Sequence, residues 1–195
     1  MSTNRDILEL PSGYSSVEVS TFIASLDDQT ALLRHDLTDI TTQEIEWQPA
    51  PGFNTIGMLL AHLAIVEVHW TQVGLRREPT SDTMPVLGLD VMAGDGMPTP
   101  AGGAPPAHLA GKPMAYFDDL LDRAREYAKQ TARTFTDADL ERRHTRVRRD
   151  GIHQELNGRW VLYHMLEHFS GHYGQILLLR HQYRDAMSTA QQPAR

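Results

Sequence analysis

Apolar residues recur every three or four positions through four separate stretches of this 195-residue chain, and nowhere do they alternate over a strand's length. That pattern leaves packed helices as the main body. The first stretch passes through Val19, Phe22, Ile23, Leu26, Leu33, Leu37 and Ile40 and predicts a helix over about 16–39. Ser15 or Ser16 can cap it, and Glu18 suits its positive end. The second carries Leu59, His62, Leu63, Val66, His69, Trp70 and Val73 along one side. It predicts a helix over about 55–76, capped by Asn54 and bracketed at its end by Gly74 and Pro79. The third covers about 114–134. The fourth starts near Asn157, runs to about 185, and turns Val161, His164, Met165, His168, His172, Ile176 and Leu179 inward.

Between the second and third stretches, residues 78–113 hold seven of the eleven Pro and six of the fourteen Gly. No apolar period survives there. A structureless connection of that length is rare inside a compact domain. A crossover explains it: two consecutive parallel helices in a bundle need a connection that travels the bundle's length. The expected fold is therefore all-α, four long helices with one long crossover, in a single domain spanning 1–195. Residues 1–14 read as a loose arm and 186–195 as a loose tail. Thr136–Glu141 looks like a further helix start of a turn or two. Residues 142–156 are charged and contain the turn pair Asp150-Gly151, so they form a small exposed hairpin or a loop.

Ten histidines are about twice the usual frequency, and their spacing carries the chemistry. His164, His168 and His172 step by four, so each turns only about 40° round the helix. Neighbouring members stand about 6 Å apart and can share a metal ion. The outer two, about 12 Å apart, cannot easily do so. The stripe thus offers one pair, 164/168 or 168/172. His62 and His69 share a face of the second helix about 10 Å apart, so at most one of them supplies a third ligand. Three imidazoles on two helices leave coordination positions open, as a catalytic metal requires. The plainer alternative is a set of hydrogen-bonded core histidines, but burying four imidazoles without a partner is costly. His35, His108, His144, His153 and His181 read as surface or loop residues.

Other features carry less. Glu67 and Glu167 can orient imidazoles or be ordinary helix-surface carboxylates. Trp70, Tyr163 and Tyr173 can line a pocket mouth or pack in the core. Arg142, Arg143, Arg146, Arg148 and Arg149 read as a solvated face rather than an anion site. The net charge of −7 argues against nucleic-acid and anionic-membrane partners. The longest apolar run, Ile56–Val66, is about half a membrane span, and no signal peptide is readable, so the expected location is the cytoplasm. Cys is absent, so any thiol chemistry uses a thiol from outside the chain.

The segments Asn54-Thr-Ile-Gly-Met-Leu-Leu-Ala-His62-Leu, Val68-His69-Trp70 and Arg159-Trp160-Val-Leu-Tyr-His164-Met-Leu-Glu-His168-Phe-Ser-Gly-His172-Tyr-Gly174-Gln175-Ile resemble the DinB-like superfamily. That group includes the thiol-dependent maleylpyruvate isomerase relatives and YfiT-like metal proteins. The resemblance implies a four-helix bundle in up-down-down-up order. It also implies one divalent metal held by His62, His168 and His172, with His69 and His164 near the site but not bound to it; imidazole ligands suit Zn, Ni, Fe and Cu alike, and Zn, Ni or Fe is expected. Some relatives have Glu where this chain has His168. Those relatives with a known activity are mostly thiol-dependent transferases or isomerases, some using mycothiol or bacillithiol, and members are often homodimers. The expected function is then a metal-dependent S-transferase or isomerase acting on small molecules with an external low-molecular-weight thiol. The alternatives are a metal-dependent hydrolase and a non-catalytic, stress-associated metal-binding dimer. A homodimer would cover Trp70 and Trp160 on the bundle's flanks.

Overall fold

Ser16 starts the first long helix, α1 (Val17–Asp36), with its hydroxyl accepting from the Val19 amide. The structure is a computed structural model that describes residues 7–190 apart from Met92 and Arg149. The parts of the expected arm and tail at 1–6 and 191–195 lie outside the described residues, as does Arg149 of the arginine run. A short helix follows, α2 (Thr42–Glu46), capped by Thr41. Five residues are too few to show a period, and the sequence gives no sign of it.

The second long helix, α3 (Ile56–Trp70), is capped by Thr55 rather than by Asn54. Asn54 instead accepts from the Thr99 hydroxyl and ties down the crossover. The last turn of α3 widens into a π-turn, Thr71–Leu75, closed by the Arg76 amide donating to Thr71 O. Such turns frequently mark functional sites. The helical run ends at Leu75, between Gly74 and Pro79. A Cβ at Gly74 would sit 2.7 Å from Val161 Cγ2, so the glycine lets α3 approach the last helix closely.

Residues 78–113 run back along the body. Gln72 grips their start, donating to Asp82 O and accepting from Ser81 and the Asp82 amide. Near their far end, Gly103 O accepts from the Gly52 amide and the Gln48 side chain. A short α-helix, α4 (Met84–Leu87), and a 3₁₀ turn, Ala107–Leu109, interrupt them, and Leu87, Leu89 and Leu109 anchor them in the core. The third long helix, α5 (Met114–Ala132), is followed by α6 (Asp137–Glu141), which opens on a capping box between Thr136 and Asp139.

The charged segment forms the hairpin: β1 (Arg143–Val147) pairs antiparallel with β2 (His153–Asn157), His144 opposite Leu156 and Arg146 opposite Gln154. The last helix, α7 (Gly158–Ala190), is 33 residues long and starts with Asn157 accepting from the Trp160 amide. It runs past the expected end near 185. Arg180 and Arg184 pair with Asp39, and Arg180 also with Glu44, which holds this end of α7 against the α1–α2 corner.

Cross-contacts give the directions. Along α3 and α5, Gly57 meets Phe117 and Glu67 meets Arg125, so these two run parallel. Against α7, His62 meets His168 and Trp70 meets Trp160, so α3 and α7 run antiparallel. Glu18 pairs with Arg159 and Ser170 with Gln29, so α1 and α7 run parallel. Helix Ile56–Leu75 is long and apolar enough to cross a membrane, a length that the eleven-residue count in the sequence did not reach. It is mostly buried inside the body, its apolar faces taken up by α5 and α7.

Candidate metal centre

Two helices bring His62, His168 and His172 together. The α3–α7 pairing is antiparallel and close at Gly74, so His62 faces the two turns of α7 that carry His168 and His172. The Nε2 atoms of His62 and His168 are 3.2 Å apart, and those of His168 and His172 are 3.1 Å apart. One ligand atom from each of the three lies within 4.8 Å of the others.

The other nitrogens are engaged. His62 Nδ1 lies 2.5 Å from Asp95 Oδ2, and His172 Nδ1 lies 2.8 Å from Gln175 Oε1. Both partners are oxygens that accept, so each Nδ1 carries the proton and each Nε2 presents its lone pair inward. His168 Nε2 can donate to only one of its two neighbours at a time. Without that proton, both contacts set lone pair against lone pair, which a shared cation relieves. Three imidazole nitrogens about 2.0–2.1 Å from one ion would stand roughly 3–3.5 Å apart, close to the spacings found. Burial, with His172, His62 and His164 adding repulsion, pushes His168 down to about 3, and burial lowers His172 also. Both are therefore held in the neutral form that a metal ligand must have. The donor set fits a divalent ion.

Asp95 escapes a reading of the sequence. It sits in the crossover, 33 positions from His62, with no pattern around it. The loop reaches it by lying flat on α3 at Gly94, where a Cβ would stand 2.5 Å from Asp90 O and 2.9 Å from Ile65 Cδ1. Asp95 is buried, and its second oxygen accepts from the Met97 amide. Partners of this kind fix ring orientation and raise basicity. Asp95→Ala is expected to weaken divalent-metal binding ten- to hundredfold, roughly the usual cost of losing such a partner. A competition titration against a chromophoric chelator measures it, and an unchanged affinity would remove Asp95 from the site.

The two carboxylates singled out from the sequence do other work. Glu67 is buried and forms a two-pronged ion pair with Arg125, Oε1 to Nε at 2.6 Å and Oε2 to Nη2 at 3.1 Å. Glu167 is exposed and stands 3.6 Å from His164 Nδ1. His164 itself stacks on Trp160, ring centres 4.9 Å apart and nearly parallel, with its ring centre 5.8 Å from that of His168. His69 lies against Trp70 and 3.4 Å from Arg146 Nη1. Tyr173 donates to Asp36, and Tyr163 is exposed.

Beside the triad opens a cleft of about 1490 Å³. His62 lines it, and Trp70, Trp160 and His164, in mutual ring contact, form an aromatic wall. The hairpin closes the opposite side. Its strand alternation splits the arginine run: His144, Arg146, Gln154 and Leu156 turn toward the body, while Arg143, Thr145 and Val147 are exposed. His144 is thus a half-buried cleft residue, not a surface one. Trp70 is likewise buried and Trp160 half-buried.

A solved structure of a conserved protein from Enterococcus faecalis is similar to this chain at a TM-score of 0.56 and 17% identity, covering 83% of this chain and 94% of its own. That likeness supports the helical fold. No curated protein matches the chain. The family model for mycothiol-S-transferase matches residues 21–185, which includes every residue of the triad and both its orienting partners. The chain belongs to the mycothiol-S-transferase family, within the DinB-like metal-binding superfamily.

Proposed function

We propose that the protein is a metal-dependent S-transferase that joins a low-molecular-weight thiol of the mycothiol class to a small electrophile, with His62, His168 and His172 holding one divalent ion. The helix directions support an up-down-down-up bundle as its frame. The observation that carries the reading is a large cleft reaching a triad of inward-facing imidazoles in a chain that has no cysteine. At about 1490 Å³ the cleft exceeds the roughly 300–1,000 Å³ of an ordinary ligand site, so a thiol and an electrophile fit together.

A divalent ion at such a site supplies Lewis acidity, which favours the thiolate form of a bound thiol near neutral pH. The chain's own residues do the rest. Asp95 and Gln175 fix the rings of His62 and His172. Phe169 and Met165, both buried on α7, keep the inner side of the stripe dry. Trp70 and Trp160 offer an apolar wall to the electrophile. In the overall change an S–C bond forms, the bond from carbon to the leaving group breaks with its electron pair, and the thiol proton passes to solvent.

The test is conjugation of mycothiol to monobromobimane by zinc-loaded protein, followed by fluorescence. Turnover above the uncatalysed rate, abolished by chelation and restored by zinc, is expected. Equal rates with and without the metal would contradict the proposal.

A further inference from the structure

Among the described residues three arginines line the cleft, Arg77, Arg146 and Arg148, and the proposed transfer uses none of them. Arg146 points into it from β1, with its guanidinium 4.5 Å from the centre of the Trp70 ring and its Nε donating to Gln154 Oε1. No carboxylate pairs with it among the described residues. Arg77 follows the π-turn of α3 with a φ of 59°, in the left-handed region that side-chain-bearing residues seldom occupy. It too lines the cleft, its Nε is buried without a hydrogen-bond partner, and no carboxylate among the described residues lies within 4.0 Å of it, although its charge acts at longer range on Asp139.

The acids of the same cleft are already engaged. Asp95 is taken by His62, Glu78 by Arg76, Asp150 by Arg148, and Asp90 accepts from the Ala93 amide. Half-buried guanidinium groups without an anion are uncommon, because a desolvated charge is costly unless paired. The guanidinium fork matches the two oxygens of a carboxylate. The Trp70 ring and Gln154 already fix the plane of Arg146.

We propose that Arg77 and Arg146 form a carboxylate subsite in the cleft, away from His62, and that it selects electrophiles bearing a carboxylate on an apolar body. The proposal rests on the S-transferase reading for the word electrophile, but not for the subsite. Its distance from the triad follows from α3. Arg146 Nη1 is 3.4 Å from His69 Nε2, and His69 stands seven residues, about 10 Å, along the axis from His62. An aromatic ring with a reacting carbon at one end and a carboxylate at the other bridges that gap along the Trp70–Trp160 wall.

The test is calorimetric binding of 4-methylbenzoate and of its uncharged counterpart, 4-methylbenzamide, to the zinc-loaded protein. Benzoate is expected to bind roughly ten- to hundredfold more tightly, the usual worth of a charge-assisted pair. Arg146→Gln and Arg77→Gln should each remove most of that preference. Arg143→Gln, on the exposed face of the same strand and paired with Glu155, should keep it. The wild-type protein stripped of metal with a chelator should also keep it, since the subsite is not the metal. Thermal melting of each variant separates misfolding from lost binding, and Arg146→Lys, which keeps the charge without the fork, should retain part of the preference. Equal binding of the two probes overturns the proposal. So does a preference that survives Arg146→Gln but vanishes in the metal-free wild-type protein, which would put the carboxylate on the metal. A preserved preference without any thiol transfer would leave the subsite standing and sink the transfer reading alone.

Discussion

His168→Ala is expected to weaken binding of a divalent ion more than about a hundredfold, while His164→Ala leaves it within about threefold. Loss of a residue that merely orients a ligand costs 10–100-fold, so loss of a ligand costs more. His168 Nε2 stands between its two partners, 3.2 Å from His62 and 3.1 Å from His172, and its removal breaks both contacts. His164 is one turn earlier, and its ring is committed to the face of Trp160 and the edge of Trp70. Competition with a chromophoric chelator at pH 7 gives both affinities. Equal losses would mean that the ion lies between His164 and His168; no loss in either would mean that the stripe serves packing.

Glu67→Leu is expected to destabilise the fold by about 3 kcal/mol, near the lower end of the cost of breaking a buried ion pair. Arg125 is only 7% exposed and would lose both prongs of its main partner. Asp27 and Thr30 still accept from it, which keeps the loss from being larger. Replacing both partners, Glu67→Leu with Arg125→Met, should recover most of the stability, because no unpaired charge is left inside. Urea unfolding of the two variants measures this. A single variant within about 1 kcal/mol of wild type would show that the pair holds nothing together.

The pair also shows how far the sequence could be read. Glu67 lies on the same helix as His62, five residues on, and sequence alone allows it to serve the imidazoles. Its partner is Arg125 on α5, and only the parallel packing of α3 and α5 brings the two together. The helix faces themselves were legible, because 3.6-residue periodicity is a local property. The helix starts at Ser15 or Ser16, near Asn157 and at Thr136 were legible for the same reason, and the structure selects Ser16. His62, His168 and His172 could be named from the motif, while spacing alone left 164/168 and His69 open. Asp95 was not legible: its position follows from a loop with no period, laid on α3 by Gly94. Nor was the division of the arginine run. Five arginines in eight residues look like one charged surface until the strand's two-residue period turns Arg146 inward and Arg143 outward.

X-ray absorption of the zinc-loaded protein, recorded before and after adding mycothiol, tests the central claim most directly. Three imidazole nitrogens at about 2.0–2.1 Å are expected throughout, with a sulfur neighbour at about 2.3 Å appearing only when the thiol is present. The chain has no cysteine, so that thiolate sulfur can come only from the added thiol. A spectrum without the imidazole shell, or one that gains no sulfur at saturating thiol, would contradict a three-histidine metal site open to an external thiol.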